Sequence, residues 1–122
     1  MPDNPVQATG TPAVPLPGPA EQIAHQHPRL WAAFQRLGEE TSHAGPLDAR
    51  TRRLVHLALA VASESEGATH SHARRALAEE LTPGELEHVA LLAITTLGWA
   101  RAMKGLNWIR DITRDNRGEL PR

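Results

Sequence analysis

The residues able to carry chemistry concentrate in one run, Ser63-Glu64-Ser65-Glu66-Gly67-Ala68-Thr69-His70-Ser71-His72. Two glutamates stand ahead of two histidines, and histidine is the side chain best suited to proton transfer near neutral pH. Helical spacing limits what the histidines can do together. At about 100° per residue, His70 and His72 lie roughly 160° apart, so a helix carrying both cannot aim them at one ion. His-x-His is therefore no metal-binding signature here, and no metal is expected from this helix alone. A metal site would need histidines from separate helices or subunits, such as His56, His70 and His72. Either histidine could equally be a hydrogen-bonded residue of a helix interface. Cysteine is absent, which excludes thiolate nucleophiles, CxxC redox chemistry, disulfides and cysteine-ligated metals.

The elements that must hold this run are helices. A helix over about 67–80 presents Ala73, Ala76 and Leu77 as its apolar face. Before it, Asp48 fits as the N-cap of a helix reaching about Ala62. Leu54, Val55, Leu57, Ala58, Leu59, Val61 and Ala62 cover much of that helix and predict extensive burial. Arg50, Arg52 and Arg53 crowd its first turns against the helix dipole, which calls for acidic partners or a solvated position. After the histidine helix, Thr82-Pro83-Gly84-Glu85 is a capping box with proline at the first helical position, and Leu81 and Leu86 are placed as a hydrophobic staple. The segment that follows, to Leu97, is apolar nearly all round and reads as a central helix or a subunit interface. Gly98 ends or bends it before a last helix over about 100–115 with Ala102, Leu106, Ile109 and Ile112 on one stripe.

Toward the N-terminus, a helix is expected from His27-Pro28, with Leu30, Trp31, Phe34 and Leu37 on a core stripe. Glu39 to Pro46 reads as a polar linker. Residues 1–19 hold six prolines and two glycines and read as an extended or flexible arm, with 20–115 as a single domain and 116–122 as a frayed tail. The fold class is all-α, a compact bundle of about five helices. With 13 basic and 14 acidic residues and a net charge of −1, there is no basic field for nucleic acid or a membrane surface. No apolar run approaches the ~20 residues of a membrane span, and neither a basic leader nor a signal core opens the chain. It reads as a soluble cytoplasmic protein. Phosphate loops, dinucleotide fingerprints and Gly-x-Ser-x-Gly elbows are absent.

The stretches Leu47 to Leu54, His72 to Leu77 and Leu81 to Val89, with Thr96-Leu97-Gly98 and the helix from Ala102 to Ile109, resemble the carboxymuconolactone decarboxylase family. That family also includes the AhpD-like alkylhydroperoxidases. The resemblance runs from about residue 45 to 112 and implies a small all-helical, AhpD-like fold assembled as a homo-oligomer such as a trimer or hexamer. AhpD-like members use a glutamate, a Cys-x-His-Cys run and a following histidine as a thiol peroxidase relay. Aligned on His72, the cysteine positions become Ser65 and Ala68, the intervening histidine Gly67 and the glutamate Arg53. A serine hydroxyl is neither acidic nor soft enough to replace a peroxide-attacking thiolate, so peroxidase activity is expected to be absent.

The decarboxylase branch needs no cysteine and keeps a histidine at the place of His72, although Ala68 stands where that branch has a glutamate. By this resemblance His72 would transfer a proton during decarboxylation of an unsaturated lactone or carboxylic acid. Glu64 or Glu66 would set its charge from the preceding turn, and Arg53 and His70 would bind substrate, with no cofactor. Arg53 could instead be a salt bridge between helices. The alternative to an enzyme is a non-catalytic oligomeric or ligand-binding member that has lost the peroxidase site.

Overall fold

The computed structural model describes residues 18–117, which form six helices and, among the described residues, no strand. We label them α1 (Gly18–Gln26), α2 (Pro28–Ser42), α3 (Ala49–Ala62), α4 (Glu66–Ala78), α5 (Pro83–Leu97) and α6 (Trp99–Arg117). They divide into two compact units that meet at Leu47 and Asp48. No described helix is long and apolar enough to cross a membrane.

In the first unit α1 and α2 are joined at His27. Gly18 and Pro19, assigned to the arm on composition, instead open α1. Proline is tolerated there because the first-turn donors have no intrahelical partner in any case. The rest of the arm, residues 1–17, and residues 118–122 of the tail lie outside the described residues. α2 runs past Gly38 through half of the expected linker, and the hydroxyls of Thr41 and Ser42 donate to the Gly38 carbonyl. Its Leu30, Phe34 and Leu37 are all at least 60% exposed, so the stripe expected to be core lies open among the described residues. Trp31 and Phe34 stack at 5.7 Å.

The second unit is the bundle α3–α6. Asp48 caps α3 by accepting from the Thr51 amide at 2.8 Å. Ser65 caps α4 by accepting from the Ala68 amide, and Thr82 and Glu85 make the complete capping box of α5. Both α3 and α4 end in Schellman turns. Glu64 N–H bonds to Val61 and Ser65 N–H to Ala60 at the first; Glu80 N–H bonds to Leu77 and Leu81 N–H to Ala76 at the second. The left-handed residue is a glutamate in each, with φ of 56° at Glu64 and 70° at Glu80.

The core joins Leu57 and Val61 of α3, Ala73 and Ala76 of α4, Leu81 before α5, Leu86 and Ala90 of α5, and Leu106, Ile109 and Ile112 of α6. Small residues allow close helix approach. A Cβ on Gly105 would lie 2.5 Å from Val61 Cγ1, so only glycine fits where α6 meets α3. Outside this core α3 is less buried than its composition suggests, with Val55 40% and Leu59 62% exposed. Leu91 and Leu92 of α5 and Trp99 of α6 are exposed as well. Their apolar character therefore exceeds what this bundle needs for itself.

Candidate functional site

α3 and α4 pack so that Arg53 and His56, one turn apart on α3, face His72 and Arg75 on α4 and Glu79, the C-cap of α4. Counted from His72, these residues of α4 and its cap fall at i, i+3 and i+7, along one side of the helix. Arg53 organises the group. Its Nε donates to Glu79 Oε1 and its Nη2 to Glu79 Oε2, both at 2.9 Å, a forked pair that fixes the guanidinium plane. The remaining arm, Nη1, lies 2.7 Å from His72 Nδ1. Only 16% of the Arg53 side chain and 31% of that of Glu79 are exposed.

That contact defines the state of His72. A guanidinium can only donate, so Nδ1 must accept, and an imidazolium has no accepting nitrogen. His72 is therefore neutral, with its proton on Nε2, which has no partner among the described residues. The electrostatics agree: burial first, then the charges of Arg53, His56 and Arg75, push its pKa from 6.5 down to about 4. His56 packs edge-on against the His72 ring at 5.1 Å. Burial and the positive charges of Arg53, Arg75 and Arg52 lower its pKa too. Half-buried Arg75 feels the same crowding. Burial and Arg53 lower its pKa, and Glu79 partly offsets them. Two guanidiniums, one carboxylate and two neutral histidines leave this group with one positive charge in excess.

The other residues singled out from sequence are placed elsewhere. Glu64 pairs with Lys104 at 2.9 Å and Arg101 at 3.4 Å on α6, an arrangement that lowers its pKa, first through the Lys104 hydrogen bond. Glu66 and His70 lie on another face of α4 with Asp111 of α6. Neither glutamate is brought into hydrogen bonding with His72; Glu79 is the carboxylate that shares Arg53 with it. Nor does His72 have an imidazolium proton to give at neutral pH, because Arg53 occupies Nδ1. Arg53 binds Glu79 and His72 together, so its fork is already engaged. His70 Nε2 is 2.9 Å from Asp111 Oδ2, and the angle separating it from His72 is realised as bonds to different helices.

Sequence reasoning missed Glu79 and Arg75. Their one signal was the i, i+3, i+7 spacing from His72, since singly each reads as a solvated helix charge. The position of the first relay cysteine is occupied by Ser65, whose hydroxyl is the α4 cap.

A model of the carboxymuconolactone decarboxylase family matches residues 28–111, more than half of the chain. The chain belongs to that family. An uncharacterized protein of Haemophilus influenzae is 36% identical to this family member over 55 residues, 45% of the chain and 49% of the relative. The match thus spans about half the length of that relative. Among solved structures, a provisionally assigned carboxymuconolactone decarboxylase from Burkholderia xenovorans LB400 superposes with a TM-score of 0.62 at 19% identity. That comparison covers 87% of this chain and 86% of the other, and it shows a shared fold.

Proposed function

We propose that this family member is a thiol-independent small-molecule decarboxylase acting on an anionic unsaturated lactone or carboxylic acid, with His72 as the group that meets the reacting oxygen. The observation that carries this reading is the bond from Arg53 Nη1 to His72 Nδ1, which holds the imidazole neutral and commits its proton to Nε2. Loss of CO₂ leaves the bonding electron pair on an enolate. A neutral Nε2–H can stabilise the enolate oxygen without forming an ion pair with the substrate carboxylate beforehand. Water supplies the proton that carbon takes up. Arg75, rather than the fully engaged Arg53, is the cation for the substrate carboxylate, and Arg53 and Glu79 are positioning residues. This assigns His72 hydrogen-bond donation in place of general acid transfer from an imidazolium.

The test is a thermal-shift and CO₂-release series with unsaturated carboxylic acids and lactones on wild type, His72→Asn and Arg75→Met. Ligand-induced stabilisation should weaken in Arg75→Met, and turnover should be lost in His72→Asn with its fold intact. Turnover unchanged in His72→Asn would refute the assignment. A second reading, a ligand-binding homo-oligomer without catalysis, draws on the exposed Val55, Leu59, Leu91 and Leu92, which suit burial between copies of the chain. Ligand binding with no turnover of any substrate class, together with a trimer or hexamer by light scattering, would favour it.

A further inference from the structure

The face of α4 opposite His72 carries a second group with different chemistry. Glu66 occupies the first position of α4, directly after the Ser65 cap, and His70 follows four residues later on the same face. Asp111 reaches them from α6, with Oδ2 2.9 Å from His70 Nε2. One ligand atom from each of the three side chains lies within 4.8 Å of the other two. From these placements we infer that Glu66, His70 and Asp111 bind a divalent transition-metal ion of the zinc class, bridging α4 to α6.

The chemistry of the set supports this assignment. Two carboxylates and a neutral imidazole match the oxygen and nitrogen preferences of Zn²⁺, Co²⁺ and Mn²⁺ and neutralise a divalent charge. In a tetrahedral zinc site with bonds of about 2.0–2.1 Å, ligand atoms stand roughly 3.3 Å apart. Reaching that spacing opens the His70–Asp111 pair slightly from 2.9 Å and draws in the wider separations, which run up to 4.8 Å, a movement that Glu66 can supply because its side chain is exposed at the start of the helix. The His70 side chain is 19% exposed and Asp111 56%, so the imidazole forms the floor of the site and the carboxylates its rim. Without an ion, both carboxylates converge on one imidazole, which can satisfy only one of them through Nε2. The group is separate from the Arg53–His72 network, and its ion would clamp two helices of the bundle rather than meet a substrate.

The experiment uses the full chain without a histidine tag, treated with chelator and then titrated with Zn²⁺ by calorimetry and with Co²⁺ by visible absorption. One ion per chain should bind, with a rise in melting temperature and a Co²⁺ spectrum of low coordination number. Glu66→Gln and Asp111→Asn should each weaken binding at least tenfold, and His70→Gln should abolish it, with circular dichroism confirming that each variant is folded. The exposed Glu66→Gln change keeps the test decisive if His70→Gln fails to fold. Absence of one-to-one binding, or binding that Glu66→Gln and Asp111→Asn leave unchanged, would overturn the inference.

Discussion

Acidification should weaken this fold through His72 before it protonates the carboxylates that cap and pair the helices. The folded pKa of about 4 lies below the ordinary 6.5, so between those values the unfolded chain binds the proton more readily than the native one. Stability from this group is then present above pH 6.5 and is lost as pH falls toward 4. Between pH 7.5 and pH 5 the linkage relation gives about 2 kcal/mol for such a displacement. His72 is only partly buried, and solvent screening reduces this to about 1 kcal/mol. The assay is urea denaturation at both pH values, in chelator, for wild type and His72→Gln, which removes the titrating group at that position. The carboxylates of Asp48, Glu64 and Glu85, whose pKa values are lowered by capping and ion pairing, are common to both proteins and cancel in the difference. Wild type should lose about 1 kcal/mol more than the variant. Equal losses would refute the neutral, Arg53-bound histidine.

Other substitutions probe the scaffold that holds the site. Gly105→Ala forces a methyl to within 2.5 Å of the buried Val61 Cγ1. It should destabilise by roughly 1–2 kcal/mol after the helix-propensity gain of alanine, and Val61→Ala should relieve part of that loss; unchanged denaturation of Gly105→Ala would contradict the close α3–α6 approach. Glu80→Gly removes a left-handed non-glycine residue and should raise stability by about 1 kcal/mol, whereas a lower melting temperature would count against the Schellman turn. Glu79→Gln strips the counter-charge from the part-buried Arg53 and should cost about 1–2 kcal/mol. In a double-mutant cycle with Arg53→Met the two losses should not add, and simple additivity would show that the fork contributes nothing.

How far the sequence was legible depended on the range of the interaction involved. Asp48 and the Thr82–Glu85 box are local devices, complete within a few residues, and they are found where sequence reasoning put them. Ala102, Leu106, Ile109 and Ile112 were legible because a helical period survives any choice of partner, and all four are buried. α1 escaped because Gly18 and Pro19 read as helix breakers, although both residues are tolerated in a first turn. Partnerships across the bundle were opaque. Glu79 meets Arg53 across 26 residues and Glu64 meets Lys104 across 40, and no local pattern specifies such pairs. An apolar helix face likewise does not say how much of it the chain itself will cover, which is why Leu59 was expected to be buried and is exposed.

The central claim is that Arg53 holds His72 neutral with its proton on Nε2. It is tested most directly by imidazole ¹⁵N NMR on chelator-treated wild type and Arg53→Met across pH 4–8. Wild type should show an unprotonated Nδ1 and a protonated Nε2 at pH 7, persisting well below pH 6.5, and Arg53→Met should lose this fixed tautomer. A His72 that carries its proton on Nδ1, or that titrates near 6.5 in wild type, would contradict the account.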